Sequence, residues 1–175
     1  MMATMAVAQV NRIRDYEQAD APAIARLFYE TIRSVNRADY SEEQVEAWAP
    51  AIPDAGEWHE RMAGRRTLVA EEGGEVVGFC ELEEDGHLDM FYVRKDAVGR
   101  GIGRSLYEAA ERAARGWNLT RMFTEASVTA RPFFERRGFR AVSERRAWRR
   151  GVELTNFAME KSLRPPDGEG EQGKL

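Results

Sequence analysis

Apolar residues at Ile24, Leu27, Phe28, Ile32 and Val35, with Thr31 among them, recur at helical spacing, and Asp20-Ala-Pro22 ahead of them supplies an N-cap and an early-helix proline. Before that helix, Val10 to Arg14 alternates as a strand does. Ser41-Glu-Glu-Gln44 is a capping-box pattern for a second, short helix that carries Val45 and Trp48 and stops before Pro50 and Pro53. Glu57 to Met62 adds one or two helical turns. The stretch from Arg37 to Arg65 is broken and aromatic, with Tyr40, Trp48 and Trp58, as pocket-shaping segments often are.

From Thr67 the period changes to two. Thr67 to Ala70 and Glu75 to Glu83 read as strands joined by a Gly73-Gly74 hairpin, and after the Asp85-Gly86 turn His87 to Val93 is a third, making an antiparallel meander. Strict alternation there puts His87, Asp89, Phe91 and Val93 on one face and Leu88, Met90 and Tyr92 on the other. A glycine loop, Val98 to Arg104, then opens a helix with Ile102, Leu106, Ala109, Ala110 and Ala113 on its inner side, closing at Gly116. A strand from Leu119 to Ala126, a helix from Thr129 to Arg137 ended by Gly138, and two strands, Phe139 to Trp148 and Val152 to Lys161 around Arg150-Gly151, complete the pattern. Residues 10–163 thus form a single domain, with disorder expected at 1–9 and at 164–175, where Pro165-Pro166 and charged residues offer nothing to bury.

Composition narrows the function classes. The 175 residues are 43% hydrophobic and 32% charged, the proportions of a soluble one-domain protein. Its 26 Lys and Arg against 30 Asp and Glu give a net charge of −4, which disfavours nucleic acid as a partner. Arg145, Arg146, Arg149 and Arg150 around Trp148 are then a solvated strand edge that resists further pairing. The lone Cys80 in an apolar strand reads as core, and His59 and His87 lack ligand-spaced partners, so no metal is expected. No signal-peptide pattern and no membrane-length apolar run occur, so a cytoplasmic protein with no membrane partner is expected.

The candidate chemistry lies in the glycine loop. Gly99, Gly101 and Gly103 let successive N–H groups curl into one concavity on the positive end of a helix dipole, beside Arg100 and Arg104, which suits a phosphate or pyrophosphate. Gly103 is followed by Arg104-Ser105 where a Walker loop needs Gly-Lys-Ser/Thr. The spacing G-x-G-x-G after a meander is likewise not a dinucleotide-binding fingerprint. A ligand-free tight turn is the competing account.

At this loop the sequence resembles the GNAT superfamily of acyl-CoA-dependent N-acetyltransferases. Val98-Gly99-Arg100-Gly101-Ile102-Gly103 matches both glycine positions of the family's Q/R-x-x-G-x-G/A motif, with Val98 where Gln or Arg is usual. Met90-Phe-Tyr-Val93 looks like the family's fourth strand, and Ala130 to Phe139 like its A-x-x-F-Y-x-x-x-G-F motif. The resemblance covers roughly residues 12–163 and implies an α/β (α+β) fold: a mixed, largely antiparallel sheet of six to seven strands, helices on both faces, splayed between the fourth and fifth strands.

It further implies that the pantetheine arm of acetyl-CoA pairs with backbone groups of Phe91, Tyr92 and Val93. The pyrophosphate takes N–H groups from Gly99, Arg100, Gly101, Ile102, Gly103, Arg104 and Ser105, beside Val98, and Phe133 and Phe134 flank the thioester. Acetyl-CoA is the co-substrate, a primary amine attacks it directly, and a homodimer is compatible with the family's habit. For the base, His87 and Asp89 stand early in the fourth strand, where a Glu is common in the family. Ser127, where Asn is common, offers a hydrogen bond to the sulfur or arm, with Thr129 as the competing helix cap. Phe134 replaces the family's usual proton-donating Tyr, and alternation places Tyr92 across the strand from Asp89. A CoA-binding module without catalysis on the same fold is the alternative.

Overall fold

The computed structural model describes residues 12–164, so the strand's first two expected positions, Val10 and Asn11, the 1–9 segment and the tail from Pro165 lie outside the described residues. Among the described residues there are seven strands and five α-helices. In order they are β1 (Arg12–Asp15), α1 (Ala21–Ser34), α2 (Glu42–Trp48), α3 (Ala55–Ala63), β2 (Arg66–Glu72), β3 (Glu75–Leu82), β4 (Leu88–Val93), α4 (Ile102–Gly116), β5 (Arg121–Ser127), α5 (Arg131–Glu135), β6 (Arg140–Arg149) and β7 (Val152–Ser162). The fold is the expected mixed α+β arrangement, divided into two antiparallel sheets ordered β1-β2-β3-β4 and β5-β7-β6. One face of the strands packs under α4 and α5 through Leu82, Leu88, Ile102, Leu106 and Phe134; the other packs under α1 to α3 through Ile24, Ile32, Met62, Val69 and Phe79.

Where β4 meets β5 the two sheets touch at a single parallel bridge, His87 to Phe123. In that bridge the Phe123 N–H donates to the Gly86 carbonyl at 3.1 Å, and the Thr124 hydroxyl adds a bond to the Leu88 carbonyl at 2.8 Å. Gly86 makes that junction because its φ is +95° and a Cβ there would lie 2.3 Å from the Arg121 carbonyl oxygen. Gly86→Ala is therefore expected to cost about 2 kcal/mol or more, from left-handed strain plus a backbone clash. Urea unfolding would read it as a lower midpoint at unchanged slope; an unshifted midpoint would refute the close approach.

Several local expectations are corrected. Asp20 does not cap α1 through its side chain; it is drawn back to Arg14 at 2.7 Å and to the Glu17 N–H, an ion pair that outcompetes capping. The capping box at Ser41 and Gln44 is present, while α3 is longer than expected because the Asp54 carboxylate accepts from the Gly56 and Glu57 N–H groups. The helix expected from Thr129 shrinks to Arg131–Glu135. Ser127 Oγ, not Thr129, accepts the Ala130 N–H that closes the turn, at 3.0 Å. In α4 Tyr107 and Ala114 are buried and Ala109 and Ala113 only partly so, which rotates the inner face slightly.

The alternation of the fourth strand also breaks. Glu81 pairs with Met90 and Leu82 with Leu88, so Asp89 is an extra residue in β4, a bulge. Leu88 consequently joins Phe91 and Val93 in the α4-side core, and Asp89 turns toward α3, on the side of Tyr92. Glu81, which alternates with Cys80 and Leu82 along β3, is fully buried and bonded to Arg61 and Arg65. Cys80 is core, and burial pushes its thiol up, away from nucleophilic use. β6 is an edge strand exposed along most of its length, as its arginines implied.

Candidate active site

Beyond the His87–Phe123 bridge no ladder joins β4 to β5, and a cavity of about 560 Å³ occupies the gap. Its walls are Phe91 and Val93 on one side and Thr124 to Ser127 on the other; Phe133 and the glycine loop form one end, Thr31 donates to the Val93 carbonyl at 3.4 Å, and Asn36 and Trp48 also line it. Backbone polarity inside the gap follows from the ladder. Arg94 N–H donates to Val77, so by alternation Tyr92 bonds into β3, and the peptide groups of Phe91 and Val93 face β5.

At the loop end, a short 3-10 turn at Lys95–Ala97 leads from β4 to Gly99 and Gly101, with φ of +79° and +86°, before α4 begins. The N–H groups of Gly99, Gly101, Ile102, Gly103 and Arg104 have no backbone acceptor among the described residues. A Cβ on Gly99 or Gly101 would meet nothing within 4 Å, so the space in front of these donors is open. A Cβ on Gly103 would instead lie 3.0 Å from Phe133 Cε2, because α5 packs that ring directly on the start of α4. Such a cradle, on the dipole of a 15-residue helix, fits a pyrophosphate.

The other residues singled out at this end divide. Val98 is 52% exposed and lines the cavity with Arg104. The Arg100 guanidinium turns away to Glu72 at 2.6 Å, and its N–H goes to Ala97. The Ile102 side chain is core, leaving only its N–H toward the cradle, and the Ser105 N–H is taken by the Gly101 carbonyl. Phe133 and Phe134 both line the cavity in mutual edge contact at 5.2 Å, Phe134 as part of the core.

At the far end, Asp89 lines the cavity with its carboxylate held by Arg61 and Arg65, which also bond Glu81. Tyr92 lies beside it; burial pushes its phenol up, with the Asp89 charge adding to the effect, so it stays protonated. Ser127 also lines the cavity, and because its oxygen accepts the Ala130 N–H its own proton is free to donate. His87 is outside the cavity wall. It stacks on Phe123, with Nδ1 3.4 Å from Glu83 and Nε2 2.5 Å from Glu125 Oε2. Burial lowers its pKa, but the hydrogen bond and charge of Glu125, with Asp89 and Glu83, outweigh that and raise it overall.

Sequence reading missed Glu125. It lines the cavity from β5, two residues before Ser127 on the same face, and its Oε1 accepts no hydrogen bond among the described residues, with Arg145 Nη1 at 3.6 Å. The signal was available in the alternation of Glu125 with core residues Thr124 and Ala126, which turns it to the side opposite the α4 core. Also missed were Asn36, Thr31 and Trp48, from the broken segment and α1, and Arg136 and Arg137, which stand at the loop end.

Comparison with known proteins adds an independent observation. The sequence pattern of the Acetyltransferase (GNAT) domain matches residues 36–161. Over 148 residues the chain is 31% identical to an Escherichia coli (strain K12) protein named Uncharacterized N-acetyltransferase YafP, covering 85% of this chain and 93% of that one. The structure of a GCN5-related N-acetyltransferase from Rhodopseudomonas palustris matches with a TM-score of 0.84 and 37% identity, over 92% of this chain and 100% of the other. The PaiA N-acetyltransferase of Thermoplasma acidophilum, solved in complex with coenzyme A, matches with a TM-score of 0.73 over 87% of this chain and 99% of the other; at 18% identity that likeness concerns the fold.

Proposed function

The chain belongs to the GNAT acetyltransferase family, and from that premise we propose that it transfers the acetyl group of acetyl-CoA to a primary amine by direct attack of the amine on the thioester. The observation that carries this reading is the continuity of one cavity from the N–H groups of Gly99, Gly101, Gly103 and Arg104, which have no backbone acceptor among the described residues, to the polar end at Asp89, Tyr92, Glu125 and Ser127. Acetyl-CoA brings the activated acyl group; the chain supplies placement and proton handling. Gly99, Ile102, Gly103 and Arg104 N–H groups hold the pyrophosphate, and the gap-facing groups of Phe91 and Val93 pair with the pantetheine and polarise the thioester carbonyl.

Of the carboxylates at the polar end, Asp89 has guanidinium donors on it and serves to order the pocket floor. Glu125, with one oxygen fixed by His87 and the other accepting no hydrogen bond among the described residues, though Arg145 lies 3.6 Å away, is the proton acceptor. As the amine attacks, its N–H acidity rises steeply, so a carboxylate suffices to take the proton and return it to water. The Ser127 O–H donates to the departing sulfur, which compensates for Phe134 in place of a phenol. Neutral Tyr92, Asn36 and Trp48 line the end that the acceptor enters.

Calorimetric titration with acetyl-CoA and CoA, followed by thiol release with a panel of amines, tests the reading. Gly101→Glu places a carboxylate in the cradle at a left-handed position, and an affinity loss of about 100-fold or more, roughly 2.7 kcal/mol, is expected. Binding that survives this substitution would remove the cradle from the site. Binding without thiol release across the panel would favour a CoA-binding module instead.

A further inference from the structure

Two arginines at the loop end make no ion pair among the described residues. Arg136 and Arg137 follow α5 and both line the cavity with Arg104, yet neither has a carboxylate within 4.0 Å among the described residues; Arg104 alone has one, Glu108 at 2.8 Å. Arg137 is held rather than loose. Its Nη1 donates to the Phe133 carbonyl at 3.0 Å, its guanidinium carbon lies 3.5 Å from the centroid of the Phe133 ring, and its Nε–H is buried with no acceptor. Phe133 in turn rests on Gly103, so the guanidinium is stacked, through one aromatic ring, on the first turn of α4. Burial, with the neighbouring Arg136 and Arg104, holds the Arg137 guanidinium below its ordinary value, and the opposing pull of Tyr107 and Glu108 does not make up the difference. Ordered, like-charged groups without anions are stabilised when an anion arrives.

Resting on the CoA reading above, we infer that Arg136 and Arg137 form a subsite for the 3′-phosphomonoester of the nucleotide, separate from the pyrophosphate cradle. The two sets of donors differ in kind and in place. The cradle is made of backbone N–H groups at the start of α4 and needs no side chain to bind a diphosphate ester. The arginines come from a different segment, after α5, set beside the cradle with the Phe133 ring between Arg137 and Gly103, where a second anionic group on the same ligand would reach them. Planar guanidinium donors match a terminal phosphate, which presents three oxygens and more charge than a bridging diester. The enzyme would accordingly discriminate CoA from dephospho-CoA through these side chains.

The test is calorimetric titration of the full chain with CoA and with dephospho-CoA, in the wild type, in Arg136→Gln, and in Arg136→Gln/Arg137→Gln. The wild type is expected to favour CoA by about 10-fold or more, with the preference shrinking at high salt. In the double variant the ratio should fall to about 1, while dephospho-CoA affinity stays within about 3-fold. Arg136 is exposed, so its single variant keeps the fold and should lower the ratio by itself if the double variant unfolds. Equal wild-type affinities, or a double variant that weakens both ligands alike, would overturn the subsite and leave the CoA reading standing. Failure of both ligands to bind the wild type would overturn the CoA reading and the subsite with it.

Discussion

The double variant Arg61→Met/Arg65→Met is expected to lose about 3–5 kcal/mol of stability, because it strands a buried carboxylate. Glu81 is wholly buried near the end of β3 and accepts from Arg61 Nη2 at 3.2 Å and Arg65 Nη1 at 3.0 Å. The same two guanidinium groups hold Asp89, and Arg65 also reaches Glu83 at 2.9 Å, but those carboxylates are more than a quarter exposed and recover hydration when released. Glu81 has no such recourse, so its desolvation is left uncompensated. Adding Glu81→Met to the double variant removes the stranded charge and should restore most of the loss, since an apolar side chain of similar volume tolerates that site. Urea midpoints at constant slope decide it. A loss below about 1 kcal/mol, or no rescue by the third substitution, would show that water already solvates Glu81.

How much of this was legible beforehand depended on sequence distance. The Gly73-Gly74 hairpin, the Ser41–Gln44 capping box and the Gly138 helix stop are local, and each element they bound is present. The glycine loop is local too, and its free N–H groups follow from the turn's own geometry. What failed to be legible joins distant residues. Glu81 looks like an exposed alternating position until α3, about 20 residues earlier in the chain, delivers Arg61 over it. The bulge at Asp89 cannot be read from β4, because the extra residue exists only relative to β3. Once it is known, the reasoning that set Tyr92 across the strand from Asp89 reverses, and both belong to the same cavity.

The same division holds for the residues proposed for catalysis. His87 was noticed by type, but its hydrogen-bond partner sits 38 residues later on a strand that touches it at one bridge. Opening the gap beyond that bridge is what exposes Glu125 and Ser127, on one face of β5, to the peptide groups of Phe91 and Val93 on β4. The closed end and the polar end of the cavity are therefore consequences of one feature, the failure of β4 and β5 to pair past His87.

Glu125→Gln should accordingly lower kcat by about 10²–10⁴-fold, the usual worth of a positioned base, while CoA affinity changes less than about 3-fold because the cradle is untouched. Gln keeps the length and can still accept from His87, so folding should be preserved. His87→Gln is expected to have a smaller effect, about 10-fold, since the imidazole acts by fixing the carboxylate. Its signature is in pH dependence. His87 faces Glu83 from the turn after β3, Asp89 from β4 and Glu125 from β5, with Arg145 of β6 beside that last carboxylate, and the balance raises its pKa. A raised folded value means the protonated form is the one favoured by folding, so its contribution is complete below the unfolded value near about 6.5 and disappears as pH rises through the folded value. The stability advantage of the wild type over His87→Gln should therefore shrink on alkalinisation above about 6.5, and the activity difference should change over the same window. A Glu125→Gln enzyme with unchanged kcat would return the base to Asp89 or to water, and a pH-independent His87→Gln difference would reduce the imidazole to a packing group on Phe123.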